Sequence, residues 1–177
     1  ESGTAETWEY NGTNWTRTLI GSIPTPIDDG ALMTFDPVSN CVVLVVTTNP
    51  LMVSSVYVGD TWTYDGAYWT RRAIGMPTNA WLGGMAWDEA RSNAVLLTMD
   101  CATWTWNGTQ WTRRLPVHSP TPSPRGFFQM AYDPLREVCV VYSGEGNNMT
   151  HPIDTWEWDG TDWRQFSPVP EPAGMLV

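Results

Sequence analysis

A hairpin-sized pattern that recurs four times constrains this chain more than any other feature. Its last copy reads Thr155-Trp156-Glu157-Trp158-Asp159-Gly160, with Trp163 following. The earlier copies are Thr7-Trp8-Glu9-Tyr10-Asn11-Gly12 with Trp15, Thr61-Trp62-Thr63-Tyr64-Asp65-Gly66 with Trp69, and Thr103-Trp104-Thr105-Trp106-Asn107-Gly108 with Trp111. In each copy the last Trp stands seven positions after the first, and Gly12, Gly66, Gly108 or Gly160 follows an Asn or Asp. Asn-Gly and Asp-Gly suit a two-residue type I′ turn, which needs positive φ at both central positions. That turn places Trp156 across from Trp163 and Trp158 across from Thr161, with Trp8 and Trp15, Trp62 and Trp69, and Trp104 and Trp111 facing likewise. Alternation along the strand puts Tyr10, Tyr64, Trp106 and Trp158 on the same face as the first Trp of each copy. Each copy is therefore expected to be a hairpin with one aromatic face. Each cross-strand aromatic pair adds roughly 0.5–1.5 kcal/mol beyond its buried area.

A second kind of hairpin alternates with the first. Leu32-Met33-Thr34-Phe35-Asp36-Pro37 leads to Cys41–Val46, Met85-Ala86-Trp87-Asp88 leads to Ala94–Leu97, and Met130-Ala131-Tyr132-Asp133-Pro134 leads to Cys139–Tyr142. The aspartate should start the turn by accepting nearby backbone N–H groups, while proline fixes φ. The second strands are continuously apolar and should be buried on both faces. Together the two hairpins make four short strands per unit, and the first Trps are spaced by 54, 42 and 52 residues. That length suits a β-propeller blade. The expected fold is all-β, with complete blades at about 30–72, 83–115 and 126–166. Residues 6–18 form the outer hairpin of an incomplete blade. Residues 174–177 begin a further inner strand, since Pro170–Gly174 matches Pro122–Gly126.

Three stretches, residues 130–136, 138–144 and 154–163, together resemble a kelch-type propeller repeat, especially bacterial kelch-like blades related to the central domain of galactose oxidase. The resemblance covers nearly the whole chain and implies a ring usually made of six or seven blades. It departs where the family has two glycines after the second strand: here stand Thr47-Thr48, Thr98-Met99 and Ser143-Gly144. Galactose oxidase uses a copper site with a Tyr cross-linked to Cys. No residues here match that site, so the resemblance implies no oxidase activity and no cofactor is expected.

Charge narrows the partners. Nineteen Asp plus Glu against nine Lys plus Arg, a net charge of −10, argue against nucleic acid and anionic membranes. Lysine is absent, which removes Schiff-base and P-loop chemistry. No apolar run is long enough to span a bilayer. The chain opens on Glu1 without a signal-like run, the mark of a mature product or an excised piece. The composition fits a bacterial extracellular or cell-surface protein. Cys41 and Cys139 lie in Val-rich strands and read as small buried hydrophobes, whereas Cys101 could pair with either. Asn11, Asn14, Asn107 and Asn148 stand in Asn-x-Thr sequons, which report glycosylation only in a eukaryotic secretory pathway.

Candidate ligand groups fall in the longer connections, expected on the propeller face opposite the tight turns. Tyr57 and Trp81 could stack on a sugar ring, though loop aromatics more often pack on the blade beneath. His118 and His151, with Glu145 nearby, could be written as a metal site, but two solvated loop histidines need no metal to explain them. Asp28-Asp29 lacks the loop pattern of a calcium site. Glu157 and Asp162 read as cross-strand neighbours on a polar hairpin face. Arg17, Arg71-Arg72 and Arg113-Arg114 end outer strands, where charge discourages edge-to-edge pairing. The leading expectation is a non-catalytic scaffold that binds a protein or a carbohydrate, or that associates with itself: two such arcs could close a seven-blade ring, or one chain a four-blade ring. The alternative is part of a secreted oxidase- or glycan-active enzyme whose catalytic residues lie outside this chain.

Overall fold

The computed structural model describes residues 6–19, 30–48, 58–76, 82–118, 121–146 and 150–166. These residues form antiparallel strands joined by turns, and no helix occurs among them. Strands β1 (Thr7–Tyr10) and β2 (Trp15–Leu19) make a separate hairpin. Strands β3 (Gly30–Asp36), β4 (Cys41–Thr48), β5 (Val58–Tyr64) and β6 (Trp69–Met76) form the first four-stranded sheet in sequence order. The second contains β7 (Leu82–Asp88), β8 (Asn93–Thr98), β9 (Thr103–Trp106) and β10 (Trp111–Arg114). Next comes β11 (Arg125–Gly126), which pairs with β14 (Glu145–Gly146), a small ladder that the repeat pattern does not announce. The third four-stranded sheet is β12 (Gln129–Asp133), β13 (Val138–Tyr142), β15 (Thr155–Trp158) and β16 (Trp163–Phe166).

The sheets stack face to face, and the core lies between them in two layers. One layer joins Cys41, Val43 and Val45 of the first sheet to Met85, Trp87, Leu96, Trp104 and Trp106 of the second. The other joins Ala86, Val95 and Leu97, on the opposite face of the second sheet, to Cys139, Val141, Trp156, Trp158 and Trp163 of the third. The middle sheet is thus covered on both sides, and Ala94 through Leu97 have no accessible surface. Continuous apolar character in β4 and β8 follows from that double burial.

The turns of the inner hairpins form as their chemistry dictates. Asp36 Oδ1 accepts the N–H groups of Val38 (2.8 Å) and Ser39 (3.0 Å), and Asp133 Oδ1 accepts those of Leu135 and Arg136. In the Trp hairpins the turn differs from the expected type I′. Trp158, not Trp156, faces Trp163, and Trp156 faces Gln165. Likewise Tyr10 faces Trp15, Tyr64 faces Trp69, and Trp106 faces Trp111. The physical reason is the side chain of the first turn residue. Asp159 Oδ1 accepts the amides of Thr161 and Asp162, both at 2.8 Å, and Asn11, Asp65 and Asn107 do the same in their loops. This closes a four-residue loop in which the glycine takes positive φ (Gly160, +95°) while the Asn or Asp does not. A register displaced by two residues keeps every aromatic on its face, since side chains alternate with period two. The rings still pair, with centroids 5.0–5.5 Å apart in all four hairpins.

Gly83 of the second sheet packs closely against Phe128, just before β12. A Cβ there would lie 2.2 Å from Phe128 Cζ and 2.6 Å from the Leu97 carbonyl oxygen. The ring has Leu97 and Val141 in the same core cluster, and a backbone carbonyl cannot retreat as a side-chain end can. Gly83→Ala is expected to destabilise the chain by about 1–3 kcal/mol, as overpacking does. The check is a lowered urea midpoint with an unchanged m-value.

Candidate functional site

The third strand of every unit is polar on one face and aromatic on the other, and the two faces have different neighbours. Trp69 Nε1 donates to Thr7 Oγ1, Trp111 Nε1 to Thr61 Oγ1, and Trp163 Nε1 to Thr103 Oγ1, each at 2.8 Å. The last Trp of each unit therefore reaches the Thr preceding the first Trp of the unit before it. This role was missed in the sequence, although the signal was there: Thr stands before the first Trp in all four copies, at Thr7, Thr61, Thr103 and Thr155. Each bond contributes about 0.5–1.5 kcal/mol.

The carboxylates are engaged in structural roles. Glu157 is buried and accepts from Arg136 and, at 2.9 Å, from Arg164. Its cross-strand neighbour is Arg164, not Asp162 as the simple turn implied, because Asp162 belongs to the longer loop. Asp88 pairs with Arg91, Asp60 with Arg71, and Glu6 with Arg17. Arg72 and Arg114 fold back to Thr63 (2.8 Å) and Thr105 (2.9 Å), so these strand-end arginines lie along their own sheets. Asp154 is held by Arg125, whose side chain is only 1% exposed. The Arg125 hydrogen bonds, followed by that from the Trp156 indole, pull the Asp154 carboxyl below its ordinary range.

His118 and His151 are both exposed. His118 Nδ1 lies 2.7 Å from Asp162 Oδ2, and Asp162 Oδ1 accepts the amides of Val117 and His118. The connection after the second sheet thus rests on a tight turn of the third. Within each sheet tight turns and long connections occupy opposite ends, but between sheets the outer hairpins bring these ends together. The hydrogen bonds to His118, side chain first, lower the Asp162 carboxyl pKa. No bond joins His151 to this pair, and no group of three or more His, Cys, Asp or Glu suited to a metal ion occurs among the described residues. Tyr57 and Trp81, like Asp28-Asp29 and residues 174–177, lie outside the described residues.

A shallow cavity of ≈ 220 Å³ opens between the first hairpin and the first sheet, bordered by Glu9, Phe35, Cys41, Tyr64 and Asp65. The Tyr64 hydroxyl donates to Glu9 Oε1 at 2.8 Å and lies 3.2 Å from Thr18 Oγ1. Burial, and after it the Glu9 carboxylate, pushes the phenol pKa up. All three cysteines are free thiols. Cys41 and Cys139 are buried, whereas the Cys101 thiol donates to the Ser123 carbonyl at 3.0 Å rather than pairing. Burial pushes its pKa up to about 11, which makes it a poor nucleophile.

No family model matches this sequence, and no curated protein matches it. Among solved structures it is similar to a structural-genomics protein of unknown function from Bacteroides thetaiotaomicron VPI-5482, at 12% identity and a TM-score of 0.54 over 86% of this chain and 35% of that one. It is also similar to a chain of the nidogen/laminin complex, at 17% identity and a TM-score of 0.52 over 88% of this chain and 52% of that one. A fucose lectin from Kordia zhangzhouensis in complex with methyl-fucoside has 13% identity and a TM-score of 0.48, covering 78% of this chain and 98% of the lectin. The chain thus spans about a third of the Bacteroides protein and about half of the nidogen/laminin chain. At these identities the likeness is one of fold: an all-β, propeller-like stack of four-stranded antiparallel sheets.

Proposed function

We propose that this chain is a run of kelch-type propeller blades acting as a non-catalytic binding module, extracellular or at the surface of a bacterial cell, for a protein or a glycan. Its blades correspond to residues 30–72, 83–115 and 126–166, with residues 6–18 the outer hairpin of a further one. The observation that carries the reading is the engagement of the acids. Asp36, Asp65, Asp133 and Asp159 accept turn amides, and Asp60, Asp88, Asp154 and Glu157 are held by arginine. Each group is fixed by a structural partner, Asp65 included although it borders the cavity beside the first hairpin, whereas general acid–base chemistry requires a group free to exchange a proton with substrate. A protein partner gains support from the nidogen/laminin neighbour, a structure of that fold solved as a protein complex. The net charge of −10 disfavours nucleic acid.

The ligand surface in this reading is the set of long connections carrying Tyr57, Trp81, His118 and His151, where the repeats differ from one another. The test is a glycan array and a panel of immobilised extracellular proteins, probed with the chain and with Tyr57→Ala, Trp81→Ala and His118→Ala variants. Saturable binding weakened about tenfold or more by one of these changes, close to 1.4 kcal/mol, is expected. No binding anywhere, or binding unchanged in all three variants, overturns it.

A further inference from the structure

In each outer hairpin the first Trp faces the residue two positions after the last: Trp8 faces Arg17, Trp62 faces Arg71, Trp104 faces Arg113 and Trp156 faces Gln165. Two residues before the first Trp stand Glu6, Asp60, Ala102 and Asp154. Where an acid is present it joins this corner of the hairpin together. Glu6 accepts the Trp8 indole N–H at 2.9 Å and Arg17 at 2.8 Å, and Asp60 accepts Arg71, whose guanidinium lies over the Trp62 ring. Asp154 accepts the Trp156 indole N–H at 2.7 Å. Its hairpin offers only Gln165 in the arginine's place, and the cation comes from elsewhere in the chain, as Arg125.

The second sheet lacks the opposite member. Ala102 stands where the acid belongs, and no carboxylate among the described residues replaces it. Trp104 is 7% exposed, and its indole N–H is buried with no acceptor. Arg113 is exposed and has no carboxylate or hydroxyl partner among the described residues. Every other arginine of the chain holds one or the other. The acid nearest to Ala102 in sequence, Asp100, is engaged in its own turn, where Oδ1 accepts from the Thr98 hydroxyl and from the Ala102 amide at 3.3 Å. Trp87, Trp106 and Trp158 also bury an unpartnered N–H, but none of them stands at the position that an acid serves in the other units.

We infer that Arg113 and the Trp104 indole N–H receive a carboxylate from outside the chain, borne by an aspartate or glutamate side chain of a partner protein. The donors specify the occupant. A guanidinium and an indole N–H facing one another across a strand pair are bridged in the first hairpin by Glu6, and only an anion gives both of them a charge-assisted or full-strength acceptor at once. The last hairpin shows that a member missing from this corner is replaced from elsewhere. Because the guanidinium is exposed and the indole N–H is not, Arg113 makes the first contact and Trp104 reports a fully seated carboxylate. The corner lies where β9 begins and β10 ends, the end of the sheet from which its long connections leave. It thus assigns a partner chemistry to the binding surface proposed above and rests on that reading.

The experiment is a nuclear magnetic resonance titration of the isotopically labelled 177-residue chain, following the Trp104 indole N–H and the Arg113 Nε–H. The probes are a capped Gly-Asp-Gly peptide, its Gly-Asn-Gly counterpart, and glucuronate as a sugar acid. The aspartate peptide should shift both signals saturably in the millimolar range, while the two controls leave them in place. Arg113→Gln should weaken the Trp104 response about tenfold or more, as loss of a hydrogen bond to a charged group does. Ala102→Asp, which supplies the carboxylate from within, should abolish the response while the backbone signals of the parent persist. A silent Trp104, an equal response to either control, or a response that survives both substitutions each overturns the inference. A positive titration beside silent protein and glycan panels would keep this site and remove the wider reading, and the reverse would remove this site alone.

Discussion

Replacing Arg125 by Met is expected to cost about 3 kcal/mol, near the low end for breaking a buried ion pair because Asp154 keeps some access to water. The guanidinium donates to the Ser123 carbonyl and hydroxyl (both 3.0 Å), to the Ser143 carbonyl (3.3 Å) and to both Asp154 oxygens. Its side chain is 1% exposed and that of Asp154 20%. Met fills most of the volume but supplies no donor, so a carboxylate and two carbonyl groups lose their partner together. For a chain of this length the loss corresponds to a melting temperature lower by roughly 6–12 °C. The pH dependence identifies the cause. Asp154 has a depressed folded-state pKa, so its contribution is complete above the unfolded value near 4 and is lost as pH falls through the folded one. The stability gap between parent and Arg125→Met should therefore be full at neutral pH and shrink below about pH 4. A gap independent of pH would show that packing, not the ion pair, is what Arg125 supplies.

Trp106→Ala is expected to be more damaging still, at about 3–5 kcal/mol. The ring has no exposed surface, lies tilted against Trp111 and belongs to the layer between the first two sheets. Truncation removes apolar area and leaves a void that both sheets border. Trp106→Phe should lie much closer to the parent. The indole N–H that Phe omits is buried with no hydrogen-bond partner among the described residues, so losing it costs nothing polar. Chemical denaturation of the two variants checks the ordering. Equal losses would mean that the indole makes a bond the packing does not reveal.

Much of the architecture was readable from repetition alone. The alternation of two hairpin types, the doubly buried β4 and β8, and the single aromatic face all follow from period-two patterning and repeat spacing. Register was not readable. Asn-Gly and Asp-Gly carry two signals, positive φ for a tight turn and a side-chain acceptor for a wider one, and in all four loops the acceptor decides. The contacts that shape the surface were hidden for another reason: His118 meets Asp162 across 44 residues and Arg125 meets Asp154 across 29, and no local pattern encodes such pairs. The Thr–Trp bonds were legible in principle, since Thr recurs at one offset in every copy. A hydroxyl beside a tryptophan attracts little notice until the sheets are stacked.

Holding two aromatic rings about 5 Å apart in every outer hairpin has an optical consequence. Chromophores that close and skewed share their excited states, so their transitions split into bands of opposite sign. In a chain with twelve tryptophans those bands overlie the weak signal of β-structure. The far-ultraviolet spectrum of this protein is therefore a measure of ring handedness as much as of backbone.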